Sequence, residues 1–171
     1  MRNLIFIVVG LWLVHLCCVQ AELNIVLLDI DAPVQNPEYI TDFEGYMSDD
    51  EDPQVICNFT IIKELPQGCK GHLILKGASM GEFVISTGID YEMDFCEMFD
   101  EPIIMGRLLR MLGFKKENCP PIPGVYGSEG FQLDTDTLPD EFPSNNYLAI
   151  FEIVDENDEE LMVMHLYLRI Y

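Results

Sequence analysis

Two cysteines, Cys96 and Cys119, bracket the one stretch of this chain whose apolar residues recur at helical rather than strand spacing, CEMFDEPIIMGRLLRMLGFKKENC. Asp100, Glu101 and Pro102 read as a helix start. The N–H that proline lacks would have no partner inside the helix there, and the acids suit the positive end of the helix dipole. Ile104, Leu108, Met111 and Leu112 follow at helical spacing, and Gly113 stands where a left-handed cap would end the run. The spacing predicts one helix over about residues 102–113, pinned at both ends by a Cys96–Cys119 disulfide.

Everything around this segment reads as strands. Leu23 to Ile30 is a strand-like run ended by Asp31-Ala32-Pro33, and Tyr39 to Met47 alternates as a second strand. An acidic loop, Ser48 to Pro53, follows. Val55 to Ile62 has a two-residue period that puts Val55, Cys57, Phe59 and Ile61 on one face. His72 to Lys76 and Glu82 to Ser86 are joined by Gly77-Ala78-Ser79-Met80-Gly81, a hairpin signal. Ile89 to Phe95 leads into the helix, and Val125 to Leu133 leaves it. Leu138 to Pro143 is a bounded loop. Tyr147 to Val154 and Leu161 to Tyr171 form the strongest hairpin, with Asp155 to Glu160 as its loop. Met162, Met164, Leu166, Leu168 and Ile170 line one face of the last strand. Eight or so short strands with one helix inserted late predict a mainly β fold, a β-sandwich.

The N-terminus has the form of an export signal. Met1-Arg2-Asn3 is a short positive start, Leu4 to Leu16 an apolar centre, and Val19 and Ala21 are small residues at the positions a signal peptidase reads. The expected cut follows Ala21; an uncleaved anchor is the rival reading, since the uncharged run approaches the ~18 residues of a minimal span. Residues 22–171 then form a single domain, of a size that can bury roughly 70% of its unfolded surface. The formal net charge is −21, and a surface this acidic repels phosphate backbones, so nucleic-acid binding is not expected. Four cysteines remain after the cut. In an exported chain they argue for two disulfides, Cys96–Cys119 across the helix and Cys57–Cys69 by elimination. No CxxC spacing supports a metal site.

Catalytic patterns are missing. The chain has no GxSxG, HExxH, GxGxxG or P-loop pattern, and nothing calls for a cofactor. His72 and His165 each alternate with apolar residues and read as ordinary strand residues. With 30 acidic residues, paired carboxylates arise by chance. Asp155 to Glu160 resembles half of a calcium loop, but it lacks the sixth-position glycine and has Leu166 where the closing glutamate belongs, so it reads as a solvated tip. Asn58-Phe59-Thr60 is the one glycosylation sequon, on the polar face of its strand. Ten Phe, nine Met and seven Tyr are a generous supply for the wall of an adaptable greasy pocket, or simply for a filled core; composition alone favours the second.

From Cys96-Glu97-Met98-Phe99, through a helix, to Cys119-Pro120-Pro121-Ile122-Pro123-Gly124-Val125-Tyr126, the chain resembles a family of secreted insect proteins, the chemosensory CheB type. These are distant relatives of the ganglioside activator protein and the ML lipid-recognition domains. The tail is similar too, with Leu138-Pro139, Pro143 and Tyr147 entering a closing hairpin, as is the first hairpin at Asn58-Phe59-Thr60 and Leu65-Pro66. It departs from the family at Asn145 and Asn146, where a glycine usually precedes the tyrosine. The resemblance spans roughly residues 55–171. It implies an immunoglobulin-like sandwich whose sheets splay around an apolar cavity closed on one side by the helix, binding a lipid or other apolar small molecule without catalysis, with chemosensory work in insects.

On that reading the strand walls are Phe83, Ile85, Phe131, Leu133, Ile150, Met162 and Met164. The helical lid supplies Ile104, Leu108, Met111 and Leu112. Arg107, Arg110, Lys115 and Lys116 would stand at the rim, able to meet an anionic headgroup, a membrane surface or a receptor. The bland account of the two lysines is compensation of the helix dipole. Asn58 is the expected glycosylation position, whose use the sequon does not decide, and the protein is expected to be a secreted monomer. The alternative is a secreted protein-binding module with a filled core and an acidic interaction face.

Overall fold

Strict alternation of apolar and polar residues turns into strict alternation of burial. Along β3, Val55–Ile61, every second side chain from Val55 is buried and those between are half-buried, so one face of the strand is committed to a core. The computed structural model describes residues 24–49, 53–102, 104–131 and 142–171. The export segment 1–21, residues 50–52 of the acidic loop, Leu133, and residues 138–141 of the Leu138–Pro143 loop lie outside the described residues.

The strands are β1 (Ile25–Gln35), β2 (Ile40–Met47), β3, β4 (Lys70–Ser79), β5 (Glu82–Asp94), β6 (Gly124–Phe131), β7 (Asn145–Val154) and β8 (Glu160–Ile170). All pairings are antiparallel. They build a five-stranded sheet in the order β1-β8-β7-β4-β5 and a three-stranded sheet in the order β2-β3-β6. The fold is mainly β, a two-layer sandwich with one inserted α-helix among the described residues, as the pattern of strand signals predicts, and of the immunoglobulin-like kind that the family resemblance implies.

The sheets face each other through one continuous apolar core. Leu73 and Leu75 of β4, Tyr147, Phe151 and Ile153 of β7, and Met162, Met164, Leu168 and Ile170 of β8 meet Ile40, Val55, Phe59 and Ile61 from the smaller sheet. Gly45 of β2 lets that strand lie directly over β1, since a Cβ there would stand 2.9 Å from Ile30 Cγ2. Against the inner face of the larger sheet, in the same core, sits the segment between the cysteines. Gly71 of β4 has no room for a Cβ because the end of the Met98 side chain occupies that space.

That segment is shorter and more broken than its sequence pattern suggests. A 3₁₀ turn spans Glu97–Asp100, and the α-helix, α1, covers only Met105–Met111, with a second 3₁₀ turn at Lys116–Asn118. The helix therefore starts three residues after Pro102. Glu101 still sets its start, with Oε2 accepting the backbone N–H of Ile104 and of Met105 at 2.7 Å each. The C-terminal end matches expectation: Gly113 takes φ +81°, and Phe114 N–H returns to the Leu109 carbonyl.

Cys96 and Cys119 are disulfide-bonded, with their Cα atoms 5.7 Å apart. The expected Cys57–Cys69 bond is not formed; both thiols are free and buried. The reason is topological. Cys57 sits on β3 of the smaller sheet, and the chain then crosses to β4 of the larger one instead of returning beside β3, so the two are not cross-strand neighbours. Replacing both Cys96 and Cys119 by serine should cost about 3 kcal/mol, from the loop the bond closes. A urea titration that left the midpoint unchanged would contradict it. Thiol titration of the denatured, unreduced protein lacking residues 1–21 should count two free thiols; a count of zero would restore the second bond.

Candidate functional site

The inner faces of the two sheets are filled unevenly. At the end held by the disulfide, a chain of rings closes the space between the layers. Phe114 stacks on Tyr126 with centroids 4.6 Å apart, meets Phe95 edge-on at 5.3 Å, and leans on Phe59 at 6.0 Å. Met98, Met105, Leu109 and Leu112 complete this plug and are essentially inaccessible. Side chains buried this completely belong to the close-packed interior.

The packing loosens toward β5, the free edge of the larger sheet. Ile85 is register-paired with Gly77 and Tyr91 with Leu73, which places both on the inner face, yet they are 47% and 49% exposed. Leu75, on the neighbouring strand β4, is buried. Helix α1 rests on the 3₁₀ turn and on β6, where Leu112 O accepts the N–H of Gly127, and it leaves Ile104, Leu108 and Met111 only half-buried. Together, the partly open apolar side chains of β5 and of the helical segment make a candidate binding strip.

Of the residues expected in this wall, Ile85, Phe131, Met162 and Met164 face inward, with Met162 and Met164 buried in the core away from β5, and Ile104, Leu108 and Met111 are half-buried on the helical side. Leu112 belongs to the plug. Phe83 and Ile150 are corrections, since both lie on the outer face of the five-stranded sheet, in a separate apolar cluster with Leu148 and Val163. For Phe83 the cause is a β-bulge. Gly77 pairs with Ile85 and Ala78 with Phe83, so Val84 is an extra residue and the parity of the strand flips there. For Ile150 the cause is that β7 is apolar on both faces, so alternation could not choose between them. Leu75, Ile89 and Tyr91 were not singled out by sequence, although the Ile89-x-Tyr91-x-Met93 alternation was there to find.

The rim is less basic than its four cations suggest. Arg107, Arg110, Lys115 and Lys116 are all exposed. However, Arg110 donates to the Phe99 carbonyl at 3.2 Å, and Lys116 is paired with Asp100. Glu97, Asp100, Glu101 and Glu117 stand in the same segment, which makes it a neutral island on an acidic protein rather than a cationic face.

Reactive chemistry finds little footing. Burial, and then the charge of Asp94, push the Cys69 thiol up to about 11, and burial raises Cys57 as well, so neither supplies a thiolate at neutral pH. Among the described residues no group of three or more His, Cys, Asp and Glu could hold a metal, and no helix is long and apolar enough to cross a membrane. At the tip of the last hairpin, Asp155 accepts the N–H groups of Asn157 and Glu159, which holds its carboxyl below the usual range.

These features define a β-sandwich with partly open apolar side chains on an edge strand and on a disulfide-stapled helical segment. No protein-family model matches the chain, and no curated protein matches it in sequence. Distant likenesses occur among solved structures. Chicken MD-1, solved in complex with lipid IVa, is 13% identical, with a TM-score of 0.43 over 90% of this chain and 94% of that one. A Niemann-Pick type C2 protein from the Japanese carpenter ant is 14% identical, with a TM-score of 0.33 over 84% and 89%.

Because one carboxylate oxygen of Glu101 satisfies two backbone donors at the start of α1, Glu101→Ala should cost about 1–2 kcal/mol and lower the thermal midpoint by several degrees. An unchanged midpoint would show that the helix is positioned by the disulfide alone.

Proposed function

We propose that this chain is an exported, non-catalytic binder of a lipid or other apolar small molecule, held between the two sheets alongside β5 and α1. The observation that carries the reading is the exposure of Ile85 and Tyr91 on the inner face of the sheet, where their neighbours are buried. Inward apolar side chains left in contact with water are a standing cost that a greasy guest removes. The flexible Met111, half-buried on the helical side, suits guests of varied shape. The likeness of the Cys96–Tyr126 stretch to the ML-related family points the same way.

The finer parts of the reading belong to the same proposal. Residues 22–171 form one exported domain that works as a monomer. Asn58 lies on the outer, half-buried face of β3, away from the strip, so a glycan there leaves binding untouched. The neutral character of the 96–119 segment weakens repulsion where the protein would meet a membrane or receptor, and chemosensory transport is the role that the CheB-type resemblance suggests.

N-phenyl-1-naphthylamine, whose fluorescence rises in apolar surroundings, tests the reading directly. The protein should bind the probe, and Ile85→Asp or Leu108→Asp should weaken binding at least about tenfold, the equivalent of 1.4 kcal/mol. Val125→Asp, on the outside of β6, should change nothing. No binding by the parent protein, or equal affinity in all three variants, would refute it.

A further inference from the structure

The outer face of the five-stranded sheet carries an arrangement that the binding strip does not use. His72 of β4 stands between two carboxylates on different neighbouring strands. Its Nδ1 lies 3.0 Å from Glu152 Oε2 on β7, and its Nε2 lies 2.7 Å from Asp90 Oδ1 on β5. A neutral imidazole has one N–H and one lone pair, so it can satisfy only one of these partners. The other contact would then set a nitrogen lone pair against a carboxylate oxygen. Only the doubly protonated ring satisfies both.

The surrounding charges sharpen this requirement. His72 is directly in register with Glu92 on β5 and with Glu152 on β7. Lys70, on the same strand, takes Glu92 at 3.2 Å and Asp158 at 3.1 Å. Lys76, further along β4, is the remaining cation of that strand, and one strand beyond β7 the second histidine, His165, lies 3.3 Å from Asp31 of β1. Two carboxylates, Asp90 and Glu152, therefore converge on His72, while Glu92, its register partner, is taken by Lys70 beside them.

What the clamp holds is the wall of the proposed site. Among the described residues β5 is an edge strand paired only with β4, and its pairing breaks between Ile74 and Lys76, where residues 87–89 stand against Leu75 alone. Asp90 is the first residue after that break. Its neighbours Ile89 and Tyr91 point to the inner face. We propose that the proton on His72 latches β5: while the ring is charged the wall is fixed and a bound molecule exchanges slowly, and when the ring loses its proton the wall loosens and exchange quickens.

Burial of the ring disfavours its charge, but the hydrogen bonds to Asp90 and Glu152, with the charges of those groups, outweigh burial and raise His72 above the usual histidine value near ~6.5. The latch is thus fully closed below about 6.5 and opens as pH climbs through the raised value. Each unit by which the value is raised corresponds to about tenfold in local opening.

Hydrogen exchange of the ligand-free protein, corrected for the intrinsic pH dependence and compared at about pH 5.5 and about pH 8, reads the latch without relying on any ligand. Protection across β5 should fall at the higher pH. It should be low and insensitive to pH in His72→Gln, and the response should shrink in Asp90→Asn, a change at an exposed position that the fold can accept. His165→Gln should respond like the parent. A pH response that survives in His72→Gln, or is lost in His165→Gln, would overturn the latch. The link to the site, which rests on the proposed function, is read by dissociation of N-phenyl-1-naphthylamine, which should accelerate over the same interval in the parent but not in His72→Gln. Unchanged dissociation alongside a working latch would overturn the control of binding. A probe that never binds would count against the proposed function and leave the exchange result to decide the latch.

Discussion

A sheet of five strands facing a sheet of three has more apolar inner face than its partner can cover. This mismatch governs the rest of the molecule. β2 lies over β1, so the smaller sheet is anchored at one side of the larger, and at the other side β5 keeps Ile85 and Tyr91 exposed on its inward face. Burying that surface is worth roughly 25 cal/mol per Å², which is reason enough for the chain to send another element across it.

The segment between Cys96 and Cys119 is that element. It is too short to form a stable helix alone, since α1 has only seven residues. Its order comes from the disulfide, the Glu101 contacts at its start, and rings that lock Phe95, Phe99 and Phe114 into the core. The covering is complete at the disulfide end and incomplete along β5. The same device that closes one part of the sandwich therefore leaves the other ajar, and the free edge strand becomes a wall whose position depends on polar contacts on its outer side. Packing, an open strip and a charge-dependent wall follow from one shortage of strands.

Much of this was legible in the sequence. The alternation of Val55, Cys57, Phe59 and Ile61 and of Met162, Met164, Leu166, Leu168 and Ile170 identified inward faces that the core confirms. The Gly113 cap and the Cys96–Cys119 pairing were also readable, because local chemistry decides them. The misses arose where distant residues decide. The bulge at Val84 depends on how β5 meets β4, so Phe83 was assigned to the wrong face. The face of Ile150 could not be chosen when Leu148, Ile150, Phe151 and Ile153 are all apolar. Helix spacing overran the true start because Glu101 caps with its side chain from outside. Cys57 and Cys69 were paired by elimination, without knowledge of the crossing between sheets that parts them, and the clamp around His72 joins residues up to 80 positions apart, beyond any local pattern.

Native mass spectrometry of the protein as secreted by eukaryotic cells most directly tests whether the gap along β5 is a place for a guest. The account predicts a population carrying one apolar small molecule per chain, lost when the protein is denatured. A protein that arrives wholly empty, and stays empty after incubation with a lipid extract, would contradict it.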